Sequence, residues 1–308
     1  MKALVTGCAG FIGSSLVDRL LEGNHQVIGI DCFTDYYPRN LKERNILSAL
    51  KNPDFTFIEE DIFNMNAFPD VDVVYHQAAQ AGVRASWGKS FTIYTHNNVD
   101  VTQKLLEWYK DHPVKKFVYA SSSSIYGDAR LPMTETATPQ PVSPYGVSKL
   151  AAEHLCYLYW KNFGVPSISL RYFTVFGPRQ RPDMAINKFM HSIASGKTII
   201  RYGDGSQTRD FTYIDDIVSA NMLAANSSCA GEVFNIGGGN RIGLGELILL
   251  MESVTGKKAK IQTEALQKGD VTDTWASTEK AKSKLHWVPV TNIEYGLKKY
   301  WTWMKTFG

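Results

Sequence analysis

Short runs of apolar residues alternate along the chain with longer segments in which apolar residues recur every three or four positions. The first run, residues 3–5, is followed by apolar residues at Ile12, Leu16 and Leu20, which is the spacing of one helix face. Further runs predict buried strands over residues 26–30, 55–59, 71–75, 116–120 and 167–171. Further helices are predicted over residues 41–50, 94–112, 143–161 and 187–194. Strands that alternate with helices predict an α/β fold built on a doubly wound parallel sheet.

The pattern changes after Gly177, where a proline-rich loop begins. We expect residues 1–177 to form the main, Rossmann-type domain, with residues 211–237 returning to it. The remainder, residues 178–308, is expected to form a smaller mixed α/β domain that consists mainly of residues 178–210 and 238–308.

The composition is that of an ordinary globular protein, since 44% of the 308 residues are hydrophobic and 20% are charged. No apolar run approaches the ~18 residues of a membrane span, so no membrane partner is expected. The net charge is +3 and the Lys and Arg residues are scattered, which argues against a nucleic-acid surface. Met1 leads directly into the first strand without a basic and apolar leader, so we expect a cytoplasmic protein.

The cysteines lie far apart and form no CxxC pair, which argues against a zinc site. We interpret them as reduced, structural residues and expect no metal. They are Cys8, Cys32, Cys156 and Cys229.

Three glycines separate the first strand from its helix. Gly7 permits a tight turn, Gly10 lets the backbone approach a pyrophosphate, and Gly13 allows close packing of helix on sheet. The free N–H groups at the helix start would then face an anion. The second strand ends in Asp31, where a carboxylate can accept hydrogen bonds from an adenosine ribose. The combination predicts NAD, and it argues against NADP because the extra phosphate would meet a carboxylate.

Other strand ends carry residues that point to the same crevice. Asp61 follows the third strand and can accept the adenine amino group, or it can serve as a charge at a helix N-terminus. Ala78 and Ala79 follow the fourth strand and let the backbone come close to a cofactor. Arg84 can meet an anionic substrate or be an exposed structural arginine. We assign His76 no role beyond the core.

Tyr145 and Lys149 lie four residues apart on a predicted helix, so their side chains share one face. A phenol with a pKa near ~10 is a poor base at neutral pH, but a nearby ammonium and the positive nicotinamide of NAD stabilise the phenolate. Tyr145 can then take a proton from a sugar hydroxyl while a hydride leaves the same carbon for the cofactor. The serines at 121–124 favour local turns by themselves, and their chemical value depends on this tyrosine.

Together these motifs resemble the extended short-chain dehydrogenase/reductase family, specifically its nucleotide-sugar 4-epimerase and dehydratase branch. The resemblance spans nearly the whole chain. Residues 171–184 and the loop 35–38 are most similar to the UDP-glucuronate 4-epimerases of that branch. Besides Asp31 and Asp61, the motifs are GCAGFIG at 7–13, HQAAQAGVR at 76–84, SSSSIYG at 121–127, YGVSK at 145–149, RYFTVFGPRQRPDM at 171–184 and RDFTYIDD at 209–216.

The resemblance implies that three residues are catalytic, namely Ser122, which would hydrogen-bond the 4-hydroxyl of the sugar, Tyr145 and Lys149. The residues implied to bind NAD are Gly7, Gly10, Phe11, Ile12, Gly13, Asp31, Cys32, Asp61, Ile62, Ala78, Ala79, Asn98, Tyr145, Lys149, Tyr172 and Val175. The residues implied to bind a UDP-sugar are Arg84, Ser122, Ser123, Ser124, Thr174, Arg181, Tyr202, Arg209 and Asp273. A homodimer through a bundle of the helices at 94–112 and 146–163 is also implied.

The expected activity is that of an isomerase, a UDP-sugar 4-epimerase that uses NAD and a transient 4-keto intermediate. The smaller domain would bind the UDP-sugar. We expect UDP-glucuronate and UDP-galacturonate, because the hydroxyls of Ser123, Ser124 and Thr174 can hold a sugar carboxylate without a buried cation. The alternative is UDP-glucose or UDP-N-acetylglucosamine, whose 6-hydroxyl the same groups can serve.

Two other functions stay open. A dehydratase or decarboxylase of this fold would carry an acid where Ser123 and Ser124 stand, and a non-catalytic NAD-sensing module would not need the catalytic residues at all. Two positions depart from the pattern of the family. Cys32 stands where many relatives carry an asparagine that contacts the adenosine ribose. Thr174 replaces the asparagine of many glucose and galactose epimerases, which bears on the choice of sugar.

Overall fold

The structure is a computed structural model that describes residues 1–265 and 271–307. Its strands are β1 (Lys2–Thr6), β2 (Gln26–Asp31), β3 (Phe55–Glu59), β4 (Val73–His76), β5 (Lys116–Ser122), β6 (Ser167–Tyr172), β7 (Thr174–Phe176), β8 (Thr198–Tyr202), β9 (Thr208–Tyr213), β10 (Glu232–Ile236), β11 (Asn240–Gly243) and β12 (Lys260–Glu264). Its α-helices are α1 (Phe11–Glu22), α2 (Arg39–Ile46), α3 (Phe91–Tyr94), α4 (Val101–Asp111), α5 (Pro144–Phe163), α6 (Ala185–Ser195), α7 (Ile214–Asn226), α8 (Leu244–Thr255), α9 (Glu279–Leu285) and α10 (Ile293–Phe307). A π-helical turn covers Thr95–Asp100, and 3₁₀ turns cover Ala49–Lys51, Ile62–Asn64, Arg84–Ser86, Gly88–Ser90 and Ser123–Ile125.

The main sheet has seven parallel strands in the order β10-β6-β5-β4-β1-β2-β3. The chain proceeds from β1 outwards to β3 and then returns to β4 on the other side of β1, so the strand order reverses between β1 and β4. In an open α/β sheet, ligands bind outside the carboxyl ends of the strands at such a reversal. The arrangement confirms the predicted Rossmann-type, doubly wound α/β fold.

Two smaller sheets lie beside the main one. One has the order β11-β9-β7, and the other pairs β12 with β8. Within the segment 211–237, β10 joins the main sheet and α7 packs beside α1, whereas residues 211–213 belong to β9. The three-stranded sheet therefore combines strands from both sides of residue 177. The division into two domains at that residue stays a prediction.

The main sheet is buried on both faces. Successive side chains of a strand point to opposite sides, and consecutive residues of β1 are buried in two different cores. In β1, Ala3 and Val5 belong to one hydrophobic core together with Leu16 of α1. Leu4 belongs to the other core together with Leu105 of α4. Burial of each leucine stabilises the fold by ~1.5–3 kcal/mol relative to an exposed position. Double-sided burial explains why these strands are unbroken apolar runs in the sequence.

Some element boundaries differ from those predicted, where polar side chains make distant contacts. The predicted helix 94–112 is divided into α3, the π-helical turn and α4. This turn contains the buried Asn98, whose side chain is hydrogen-bonded to the backbone of Gln80. Strand β5 extends to Ser122, two residues beyond its predicted end, because residues 121 and 122 pair with Arg171 and Tyr172 of β6.

Within residues 1–265 and 271–307, no helix combines the length and apolar character needed to cross a membrane. In the same ranges, no group of His, Cys, Asp and Glu is arranged to hold a metal ion. All four cysteines are free thiols. The expectations of a cytoplasmic location and of no nucleic-acid partner stay predictions.

Candidate active site

Glycines shape the turn between β1 and α1. Gly7 has a φ of +66°, and a Cβ there would lie 2.8 Å from the backbone of Ala78. A Cβ at Gly13 would overlap the carbonyl oxygen of Gly7. Gly10 occupies the N-cap position of α1, where no side chain caps the helix. The amides of the first helical turn are thus left for an anion such as a phosphate group.

Asp31 ends β2 beside this turn. Its carboxylate accepts hydrogen bonds from the backbone N–H groups of Ala9 and Phe33, at 3.0 and 2.8 Å. Burial raises the pKa of Asp31, and the two backbone hydrogen bonds oppose that rise. A carboxylate held at this edge of the sheet can accept ribose hydroxyls and would repel a 2′-phosphate, which fits NAD rather than NADP.

The first of two adjoining cavities lies at these strand ends. The predicted cofactor residues that line it are Gly7, Gly10, Phe11, Ile12, Gly13, Asp31, Cys32, Asp61, Ile62, Ala78, Ala79, Tyr145, Lys149 and Tyr172. Its lining residues fit NAD, because the glycine turn would hold a pyrophosphate, Asp31 a ribose, and Lys149 the nicotinamide end.

The side chains of Asn98 and Asp61 form hydrogen bonds with backbone groups near the first cavity. Asn98 Oδ1 accepts from Gln80 N at 2.7 Å, and Asn98 Nδ2 donates to Gln80 O at 3.0 Å and to Ser148 Oγ at 2.9 Å. Asn98 thus holds a loop that lines the first cavity without lining it itself. Asp61 Oδ1 accepts from Phe63 N at 2.9 Å and caps a 3₁₀ turn, so both interpretations of Asp61 are compatible with its position.

Tyr145 and Lys149 lie in the first two turns of α5. Ser143 begins this helix, because its hydroxyl accepts from Gly146 N at 3.1 Å. A hydrogen bond connects Tyr145 with Ser122 at the end of β5. Ser122 Oγ also accepts from Ser124 N at 3.1 Å, which is the local turn expected of a serine run. The structure therefore brings the three predicted catalytic residues together.

Burial and nearby charges act on the pKa values of Tyr145 and Lys149. Burial raises the pKa of Tyr145, while the hydrogen bond with Ser122 and the charge of Arg181 oppose that rise. Lys149 Nζ lies 4.4 Å from the ring centroid of Tyr119, and burial lowers the pKa of Lys149 to about 7. Arg181 is thus one positive charge that favours the phenolate of Tyr145. The expected contribution of Lys149 stays a prediction.

The second cavity adjoins the first, since both are lined by Tyr145, Tyr172 and Arg181. The predicted substrate residues that line the second cavity are Arg84, Ser122, Ser123, Ser124, Thr174, Arg181, Tyr202 and Arg209. Val175, predicted to bind the cofactor, lines this cavity instead of the first. Guanidinium groups suit a diphosphate, and hydroxyls suit a sugar. The phenol of Tyr145 thus lies where it can exchange a proton with a sugar while a cofactor in the first cavity exchanges a hydride.

Comparison with known proteins identifies the family. Residues 3–237 match the NAD dependent epimerase/dehydratase family. The chain belongs to this family. Similar relatives include a UDP-glucuronate 4-epimerase of Thermodesulfobacterium geofontis, which is 42% identical over 310 residues that cover 98% of this chain and 95% of the relative. An uncharacterized UDP-glucose epimerase of Bacillus subtilis is 42% identical over 302 residues, 96% of each chain.

Solved structures show the same likeness. The crystal structure of UDP-glucuronic acid 4-epimerase from Bacillus cereus, in complex with UDP-glucuronic acid and NAD, has a TM-score of 0.97. It is 44% identical, and the alignment covers 100% of both chains. The epimerase/dehydratase family depends on NAD, so the prediction of NAD as the cofactor is confirmed.

One predicted substrate residue lies elsewhere in this epimerase/dehydratase chain. Asp273, predicted to contact the nucleoside ribose, is not among the described residues that line either cavity. Its Oδ1 accepts from Thr208 N at 3.0 Å and from the Thr208 hydroxyl. Arg209 does line the second cavity, and it also donates to the carbonyl groups of Val271 and Thr272. Asp273 thus braces the backbone of β9 at Thr208, and its predicted contact with the nucleoside ribose stays a prediction.

Several residues that line the cavities were not predicted. Tyr36 and Ala81 line both cavities, Gln80 lines the first, and Lys188 lines the second. Lys188 lies on the predicted helix 187–194, where one exposed lysine carries no signal. Tyr36 lies in the loop 35–38, which resembles the corresponding loop of the epimerases. That resemblance marks the loop but gives the tyrosine no role.

Proposed function

We propose that this chain is a UDP-sugar 4-epimerase, an isomerase that interconverts UDP-glucuronate and UDP-galacturonate. The position of Tyr145 carries the proposal, because its side chain lines both cavities and is hydrogen-bonded to Ser122. One acid–base group thus lies between the place for a cofactor and the place for a sugar. Relatives whose names specify UDP-glucuronate 4-epimerase support the choice of reaction.

NAD, held in the first cavity by the glycine turn, Asp31 and Lys149, would supply the acceptor and donor for the hydride at C4 of the sugar. The protein handles the proton. Tyr145 Oη accepts the proton of the 4-hydroxyl, and Ser122 Oγ bridges the two oxygens. Tyr145 then returns a proton to the 4-oxygen in the second half of the reaction. Because each group ends in its starting state, no second substrate is needed.

Arg181 and Lys149 support the reaction in different ways. The charge of Arg181 lowers the pKa of Tyr145, which favours the phenolate that must act as the base. Lys149 would hold the nicotinamide ribose through its N–H donors, since it lines the first cavity one helical turn from Tyr145. We infer both roles from the positions of these residues.

The residues that line the second cavity favour a negatively charged sugar. Hydroxyls of Ser123, Ser124 and Thr174 line it and can donate to a carboxylate. Arg84 and Arg181 also line this cavity, and the expectation that the carboxylate is held without a buried cation stays a prediction. Their positive charge suits both the diphosphate and the uronate of UDP-glucuronate.

Elimination and decarboxylation receive no support from these side chains. Both rival reactions would use a carboxyl group beside the sugar, at the positions directly after Ser122. These positions hold Ser123 and Ser124, and neither hydroxyl can supply the proton of a carboxylic acid at neutral pH. A non-catalytic NAD-sensing module could have the same fold, so an activity assay is needed to distinguish it from the enzyme.

The deciding experiment compares kcat/KM for UDP-glucuronate, UDP-glucose and UDP-N-acetylglucosamine. UDP-glucuronate should be preferred, since each charged hydrogen bond lost with a neutral sugar costs about 1.5–3 kcal/mol. Substitution Thr174→Ala should reduce that preference, whereas Thr302→Ala on the exposed side of α10 should leave it unchanged. A better rate with a neutral sugar would contradict the carboxylate role. Release of NAD on denaturation, with no turnover of any UDP-sugar, would favour the sensor.

We also infer a homodimer through the helical region 91–111 and α5. Side chains of Ile93, Tyr157, Leu158 and Phe163 are apolar and about half exposed there, which is typical of a covered surface. Leu158→Glu should convert the dimer to a monomer in light scattering after gel filtration. The control is Leu249→Glu, at an exposed leucine of α8, and this variant should remain a dimer. A monomeric wild-type chain would contradict the inference.

A further inference from the structure

Tyr36 and Asp183 are joined by a hydrogen bond across 147 residues of sequence. The Tyr36 hydroxyl donates to Asp183 Oδ2 at 3.0 Å. The same carboxylate accepts from Arg181 Nε at 2.9 Å and from Arg181 Nη2 at 3.1 Å. The Arg181 guanidinium carbon also lies 5.6 Å from the centroid of the Tyr36 ring. These three residues, Tyr36, Arg181 and Asp183, form a cluster that we name the clasp.

The clasp joins two walls of the first cavity that come from distant parts of the chain. Tyr36 lies on the loop after β2 and Arg181 on the loop after β7, and both line that cavity. The second loop has another anchor, because Arg179 Nη2 lies 2.6 Å from Oδ2 of Asp18 on α1. Helix α1 is the element whose N-terminus fits a pyrophosphate. The clasp therefore closes one side of the space that the cofactor fits.

Gly82 holds the Tyr36 side chain from a third loop. A Cβ at Gly82 would overlap the Tyr36 hydroxyl, so only glycine leaves room for the phenol. The carbonyl oxygen of Gly82 accepts from the Tyr94 hydroxyl at 2.8 Å, which fixes this loop against α3. Tyr36 is thus enclosed between the Gly82 backbone and the Asp183 carboxylate.

We propose that Tyr36 and Asp183 retain NAD in the first cavity throughout turnover. The proposal rests on NAD occupying that cavity and adds two positioning residues to the proposed epimerase. A 4-epimerase must keep the reduced cofactor until the hydride has returned, because early release leaves a keto sugar that cannot be reduced. Release requires the two walls to separate, and a hydrogen bond to a carboxylate between them opposes that separation.

The test measures release of cofactor in the absence of sugar. The full chain is loaded with NADH and mixed with excess NAD, and the fluorescence of bound NADH is followed with time. Tyr36→Phe should raise the dissociation rate about five- to tenfold, the effect of one lost hydrogen bond to a partly exposed carboxylate. In an Asp183→Ala background, the same substitution should change the rate less than twofold, because the acceptor is already gone.

Tyr295→Phe is the control for the loss of a tyrosine hydroxyl. Tyr295 lies on α10, is 52% exposed and is not among the described residues lining either cavity. This variant should release NADH at the wild-type rate. A Tyr36→Phe rate within twofold of wild type, or an equal effect with and without Asp183, would overturn the proposal. A wild-type chain that binds no NADH would overturn the cofactor assignment together with it.

Discussion

Replacement of Glu153 by alanine should lower the free energy of unfolding by about 3–5 kcal/mol. Glu153 Oε1 lies 2.6 Å from Arg171 Nη2, and the two side chains are only 4% and 5% exposed. The carboxylate also accepts from Arg171 Nε at 3.0 Å and from Ser121 Oγ at 2.6 Å. Without it, a buried guanidinium keeps Tyr126 as its neutral partner, at 2.6 Å from Nη1. The loss of an ion pair from such a site leaves an uncompensated charge, which sets the magnitude.

Glu294 and Lys298 provide a control with the same geometry on the surface. Their N···O distance is also 2.6 Å, but their side chains are 53% and 61% exposed. Because water screens this pair, Glu294→Ala should lower the free energy of unfolding by less than about 1 kcal/mol. Urea unfolding followed by tryptophan fluorescence measures both variants. Equal losses at the two sites would refute the argument that burial determines the cost.

A double substitution separates the charge from the packing. Glu153→Leu combined with Arg171→Met removes both charges and fills similar space, so it should destabilise the fold less than Glu153→Ala alone. The same urea titration reports the difference. A double variant that is less stable than Glu153→Ala would show that the hydrogen bonds to Ser121 and Tyr126, and not the unpaired charge, dominate.

Three further outcomes are expected. Tyr145→Phe should keep NAD bound but lower kcat by ~10²–10⁴, as followed by separation of the two 4-epimers; normal turnover would remove Tyr145 from the mechanism. Gly13→Ala should prevent retention of NAD, because its Cβ would overlap Gly7 O; an acid extract with a full complement of NAD would contradict this. His76 is buried, and its pKa is lowered to about 3, so the unfolded chain, with a pKa near ~6.5, takes up a proton that the folded chain does not. Stability should therefore fall by up to ~1.4 kcal/mol per unit as the pH drops below ~6.5, and His76→Gln should lessen this slope in urea titrations.

The main sheet and the glycine turn are predictable because their information is local. A strand buried on both faces needs consecutive apolar residues, as at Ala3, Leu4 and Val5, and this signal is contained in a few positions. The shared helix face of Tyr145 and Lys149 follows in the same way from their spacing. The role of Gly13 is a local overlap with Gly7, which any tight turn of this kind imposes.

The remainder of the site depends on contacts between distant segments, which spacing alone does not determine. The hydrogen bond from Tyr36 to Asp183 joins two loops that are distant in sequence. The sequence of neither loop indicates which residue of the other loop it contacts. The contact of the Asp273 carboxylate with Thr208 of β9 also joins segments that are 65 residues apart in sequence. The π-helical turn around Asn98 likewise serves a hydrogen bond to Gln80, eighteen residues away in sequence. The apolar periodicity of the sequence predicts one uninterrupted helix there, because α3, the π-helical turn and α4 follow one another without a break.

The opposite pKa shifts of Tyr145 and Lys149 have one cause. Burial disfavours the charged form of either group, so it raises the pKa of the phenol and lowers that of the ammonium to about 7. Tyr145 can therefore act as a base only when positive charge nearby compensates its phenolate, and Arg181 supplies part of that charge. NAD held in the first cavity would add a positive charge near Tyr145 only while it is oxidised. Tyr145 would then be favoured as a phenolate when it must remove a proton and as a phenol when it must return one, which a reversible epimerisation requires.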